Sequence, residues 1–208
     1  MKLDLLKMHR AEYATPSTPT LIDIEPARYL TIEGEGAPAS EAFQDAMGAL
    51  FGVAYTIKFA RKALGQDFKF GAVEGLWSTP SGGSDWSAIT PDQWRWKLLV
   101  RFPDFVDERD IADAIAALRA RQKEGPFERV RLETIAEGPS IQMLHVGSYA
   151  SEGETVAQME AFAAAHGLEF YGPHHEIYLS DPRRVPPERL RTILRHPVHA
   201  RAREPVAV

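Results

Sequence analysis

The chain has 208 residues, 44% hydrophobic and 25% charged, a composition of soluble globular proteins with room for one sizeable core or two small ones. Its 24 basic and 29 acidic side chains leave a net charge of −5, which argues against a dedicated nucleic-acid binder. There is no cysteine, which excludes thiol nucleophiles, disulfides, iron–sulfur clusters and thiolate zinc sites.

The first residues, Met1 to Lys7, lack the apolar stretch of a signal peptide, and no run approaches the ~18 apolar residues of a membrane span. A cytoplasmic protein without membrane contact is expected. Residues 1–26, with Pro16, Pro19 and Pro26, read as an extended arm closing on Leu21–Ile24. The first clear strand is 27–33, ending at Gly34-Glu35-Gly36. A long helix over 38–64 follows from the three- and four-residue spacing of Phe43, Met47, Leu50, Ala54 and Ile57, and Gly65 stops it. Residues 68–77 read as a strand and the Ser-, Gly- and Pro-rich 78–92 as a loop. Residues 93–102 alternate, with Trp94, Trp96, Leu98 and Val100 on one face and Arg95, Lys97 and Arg101 on the other.

The second half predicts a helix over 108–123, strands at 130–136 and 140–147, a helix over 152–166 and a strand at 174–179. Pro186-Pro187-Glu188 opens a short last helix, and the tail after Pro197 reads as frayed. The order strand, glycine turn, helix, glutamate-bearing strand occurs twice. This predicts an α+β protein forming a single domain over residues 1–208. Two fused strand–helix–strand–strand modules, 20–104 and 105–197, are expected to be related by a pseudo-two-fold axis around a central cleft, with 198–208 as the tail.

Two carboxylates stand out because they lie in otherwise apolar strands, where charge is rarely left without a reason. Glu176 shares a strand face with His174 and Tyr178, while His175, Ile177 and Leu179 form the other face. Glu74 shares a face with Phe70, Ala72 and Leu76, and Gly75 beside it permits close backbone approach. If the matching strands meet across the axis, both carboxylates project into one cleft. There they divide into acid and base, or form a cage for a cation. Trp77, Trp94, Trp96 and Tyr178 offer flat walls for an aromatic ligand or plain core packing. Tyr55 and Tyr149 are candidate hydrogen-bond donors. His174 and His175 point to opposite faces, so one ion does not easily take both. No metal or other cofactor is expected, with a His–Glu metal site left open as the alternative, and no nucleophile elbow, phosphate loop or dinucleotide fingerprint is present.

The stretches Glu74-Gly75-Leu76-Trp77, Trp94-Arg95-Trp96-Lys97, Gln142 to Tyr149 and His174 to Pro182, with Ala54 to Phe59 in the long helix, resemble the GyrI-like small-molecule-binding family. The likeness covers about residues 20–197. It lies closest to a stand-alone branch whose members are similar to cyclopropanoid cyclopropyl hydrolases, which open the ring of cyclopropyl-indole alkylators with water. The resemblance implies a cleft for a hydrophobic, aromatic small molecule, with Glu176 as its glutamate and general base. Glu74 and Tyr55 join it as catalytic candidates. Trp77, Trp94, Trp96, His145, Tyr149, His174 and Tyr178 are the ligand-binding candidates. Many relatives are the sensor domains of transcription regulators behind a helix-turn-helix domain; only the arm precedes the first module here, so a complete one-component regulator is not expected. A non-catalytic multidrug-binding, sequestering or ligand-sensing protein, and a gyrase-inhibitor-like protein-interaction module, are the alternatives.

Overall fold

A computed structural model describes residues 2–84, 86 and 89–201. In chain order the elements are β1 (Leu3–Asp4), α1 (Leu5–Met8), β2 (Thr20–Ile24), β3 (Ala27–Glu35), α2 (Glu41–Ala63), β4 (Phe68–Lys69), β5 (Val73–Ser78) and β6 (Arg95–Arg101). The second half adds α3 (Glu108–Ala120), β7 (Arg131–Ile135), β8 (Gly138–Val146), α4 (Glu152–Ala165), β9 (Leu168–Phe170), β10 (His174–Tyr178) and β11 (Arg191–Ala200). Nine strands form one sheet, in the order β2-β8-β11-β10-β5-β6-β3-β7 with β9 on β11, and all its ladders are antiparallel. The short β1 and β4 pair separately and in parallel. Each half contributes strands in the same spatial order, β3-β6-β5 and β8-β11-β10, and the halves join along β5 and β10.

Helix α2 starts where Ser40 accepts a hydrogen bond from the Phe43 backbone N–H, and its stripe of Phe43, Ala46, Leu50, Val53, Ala54 and Ile57 is buried. That stripe packs on Leu30 and Ile32 of β3 and Leu98 and Val100 of β6. Helix α4 buries Met159 and Ala163 on Ile141, Met143 and Leu194. Since directly opposed residues on neighbouring strands share a face, the register carries this helix face across the sheet. It comprises Trp96, Trp77, Gly75, His174, Glu176, Leu194 and Met143 in turn.

The other face is covered by the N-terminal arm. The Tyr13 hydroxyl donates to Glu74, Arg101 donates to Glu12, and the Gln142 amide donates to the Ala14 carbonyl at 2.7 Å. The arm therefore folds against the sheet instead of extending from it, and its end at 20–24 is a strand hydrogen-bonded to β8.

Three further expectations are corrected. The 68–77 strand is two pieces, interrupted at 70–72, so Phe70 leaves the alternation and joins the core of the helix face. The last helix is only one 3-10 turn at Pro187–Arg189; the chain then forms the ten-residue β11, flanked by β8 and β10 in mid-sheet. Residues 198–200 belong to that strand and Val198 is buried, Arg201 follows it exposed, and 202–208 lie outside the described residues.

Candidate functional site

The register between β10 and β5 sets Glu176 opposite Gly75 and Ile177 opposite Glu74. A shift of one residue reverses the face of a strand side chain. Glu176 therefore projects from the helix face and Glu74 from the arm face, and the expected pair of opposed carboxylates in one cleft does not form.

Glu74 is fully buried in a network of charges. Its Oε2 lies 3.0 Å from His175 Nε2, and His175 Nδ1 lies 2.9 Å from Glu137 Oε1. Arg195 donates to Glu137 Oε2 at 2.8 Å, to Gln142 at 2.8 Å and to the Glu12 carbonyl at 2.6 Å. Burial alone would lower the His175 pKa, but the Glu137 and Glu74 carboxylates raise it to about 9, so the ring is an imidazolium donating from both nitrogens. Burial alone would raise the Glu137 carboxyl; His175 and Arg195 instead hold it down at about 2. Glu74 is thus 0% exposed, with both carboxylate oxygens taken by protein donors, Tyr13 on one and His175 on the other.

The surroundings of Glu176 differ. Trp77 Nε1 donates to the Tyr178 hydroxyl at 2.9 Å, and Tyr178 stands two residues beyond Glu176 on the same strand face. Gly75 makes room for this: a Cβ there would come within 2.8 Å of Trp77 Nε1 and 3.0 Å of the Tyr178 hydroxyl. His174 Nε2 is 3.6 Å from Glu176 Oε1. The Tyr149 ring meets Tyr178 edge-on at 5.9 Å and is 41% exposed, so it lines the open side.

Glu152, which sequence reasoning passed over, completes the group. It opens α4, where an acidic residue looks like an ordinary first-turn charge, and nothing local marks it. The turn before it is built to deliver it. His145 Nδ1 accepts from the Thr155 hydroxyl at 2.9 Å, and Nε2 donates to the Ser148 carbonyl at 3.1 Å. Gly147, at φ 151°, lets Ser151 fold back against that ring. Glu152 is 8% exposed, and among the described residues no donor reaches its Oε1. A carboxylate oxygen of Glu152 lies within 4.8 Å of one of Glu176 and of a His174 ring nitrogen, so each carboxyl disfavours charge on the other. Burial raises the pKa of Glu152, and the neighbouring carboxylate adds to the effect. Burial also raises Glu176, with the Tyr178 hydrogen bond opposing. Burial pushes the His174 imidazole down to about 3, so that ring is neutral.

Of the expected residues, Glu176, His174, Tyr178, Trp77 and Tyr149 come together. Trp94 joins at the edge, 5.9 Å from Trp77 and 5.5 Å from Trp86. The others are placed elsewhere. Trp96 is core, edge-on to Phe43 and pressed over Gly34. His145 spends both nitrogens on the α4 turn. Tyr55 lies on the exposed flank of α2, stacked between Phe51 and Phe59 and edge-on to Phe70. A broad hollow of about 800 Å³ lies beside this group, lined by Glu33, Glu35, Leu76, Arg95, Trp96, Lys97, Arg129, Pro173 and other residues. It contains neither Glu176 nor Glu152, and it mixes charged side chains with apolar ones.

One antiparallel sheet thus bridges two helix-bearing halves, with a partly buried carboxyl group at the seam. The GyrI-like small molecule binding domain family matches residues 102–199. An uncharacterized conserved protein from Listeria innocua is 35% identical, over 95% of this chain and 100% of its own, with a TM-score of 0.89. A hydrolase from the same organism is 34% identical, over 96% and 100%, with a TM-score of 0.87. The C-terminal domain of EcmrR shares the fold at 10% identity over 88% and 98%, with a TM-score of 0.56. No curated protein matches. The chain belongs to the GyrI-like small-molecule-binding family. Among the described residues, no helix is long and apolar enough to cross a membrane.

Proposed function

We propose that the two modules, 20–104 and 105–197, act as one domain whose helix-face cleft binds a planar aromatic small molecule and opens a strained cyclopropane ring with water, a detoxification step. The observation that carries this is the Glu152–Glu176 carboxyl pair, held by Tyr178 and Trp77 at the seam. Two carboxyls that share a proton supply an acid and a base side by side. The likeness to a protein described as a hydrolase supports turnover over binding alone.

In this reading Glu176 takes a proton from water as the water oxygen bonds to the cyclopropane methylene carbon. The carbon–carbon bond breaks, and its electron pair moves through the conjugated ring to the carbonyl oxygen. That oxygen becomes a phenol on receiving a proton from Glu152 or from the Tyr149 hydroxyl, so the product is the water adduct. Trp77, Tyr178 and Tyr149 hold the ring plane, with Trp94 at the edge. Glu152 takes the part first expected of Glu74, and ring strain drives the step.

The test is conversion of a cyclopropyl-indole alkylator, followed by absorbance and product mass, for the wild type beside Glu176→Gln and Glu152→Gln. The expected result is a catalytic water adduct with the wild type and a rate about 10²–10⁴-fold lower in Glu176→Gln. Saturable binding without product would replace the hydrolase by a sequestering protein. Absence of both would remove this substrate class.

A further inference from the structure

We propose that Glu152, His174 and Glu176 also form a three-ligand site for a divalent transition-metal ion of the zinc type. One ring nitrogen and one oxygen from each carboxyl lie within 4.8 Å of one another. The proposal shares the cleft with the ring-opening reading but depends on no step of it.

Two observations point to an ion. The 3.6 Å between His174 Nε2 and Glu176 Oε1 is long for a hydrogen bond. It is the right span for two donors on one metal: legs of about 2.1 Å subtend an angle of about 120°, close to tetrahedral. The second is that Glu152 is more than nine-tenths buried with Oε1 unpartnered among the described residues, in a group whose donor atoms lie together with those of Glu176 and His174.

One imidazole with two carboxylates suits zinc and its neighbours better than magnesium or calcium, which favour all-oxygen shells. Three protein ligands leave a fourth position for water or a ligand atom, as in metal sites that stay open. The cluster on the arm face makes the contrast. Glu74, His175 and Glu137 have the same composition, but both His175 nitrogens already donate and Arg195 supplies a further charge, so no lone pair is left.

The experiment is calorimetric titration of zinc chloride into chelator-stripped protein with no organic ligand present, so its outcome is independent of ring opening. One equivalent should bind and release protons, as shown by two buffers of different ionisation enthalpy. Glu152→Gln and His174→Gln should each weaken binding by more than about tenfold. His166→Asn and His199→Asn, on the surface, should leave it unchanged. Should the cleft variants unfold, histidine-ring NMR of the wild type decides: of the seven histidines, His174 should show the largest zinc-induced shift. Absence of one-equivalent binding, binding that survives both cleft variants, or a dominant shift at another histidine would overturn the proposal.

Discussion

Strands β5 and β10 carry two glutamates one register step apart, and the two faces of the sheet use them in opposite ways. On the arm face Glu74 accepts from Tyr13 and His175 within a network of Glu137, Arg195 and Gln142, so its bonding is complete. On the helix face Glu176 meets a second carboxyl, a neutral imidazole and one phenol. A buried charge whose partners are all supplied by the protein holds structure. One whose partners leave a proton or an ion to be added is available for chemistry.

The sharpest way to break this contrast is to unpair the arm face. Arg195→Met leaves Glu137 buried with one charged partner fewer and should lower the unfolding free energy by about 3–5 kcal/mol in urea titration. A loss under about 1 kcal/mol would mean that the network is slack. Gly75→Val drives a side chain into Trp77 and Tyr178 and should cost about 1–3 kcal/mol while weakening ligand binding. Unchanged affinity in that variant would detach the Trp77–Tyr178 pair from the ligand.

The pH dependence sharpens the same comparison. His175 titrates at about 9 in the folded chain, above its ordinary value of about 6.5, so the native state binds the extra proton. Its stabilisation is complete below about pH 6.5 and is lost as pH rises through 9. Glu137, held at about 2, contributes above its ordinary value of about 4.3, and that contribution is lost as pH falls through 2. Glu176 is raised, so it too favours lower pH. Thermal unfolding should therefore show falling stability from pH 6.5 to 9, and the slope should flatten in His175→Gln. The smallest effect is expected for His145→Asn, which loosens the Ser148–Ser151 turn at about 1 kcal/mol and lowers turnover only through misplacement of Glu152.

Much of this was legible in the chain before folding. Helix α2 follows from its spacing, and the strand face of Trp96, Leu98 and Val100 from its alternation, because both patterns are local. Glu176, His174 and Tyr178 were correctly grouped for the same reason. Period-2 reading, however, sets the faces within a strand and not the phase between strands, so Glu74 was assigned to the wrong side of the seam. Strand β11 was hidden because Pro186-Pro187-Glu188 reads as the opening of a short helix that would run through it. Only the fold brings Glu137, 58 residues away, against Arg195. Glu152 was hidden by its position in a helix first turn, where acidic residues are common.

The most direct test compares Glu176→Gln with Glu74→Gln in one experiment, measuring ring-opening turnover per folded molecule and unfolding free energy. Glu176→Gln should abolish most turnover at nearly wild-type stability. Glu74→Gln should lose stability and keep its turnover per folded molecule. The opposite assignment, with activity lost in Glu74→Gln and stability lost in Glu176→Gln, would contradict the division of the two faces.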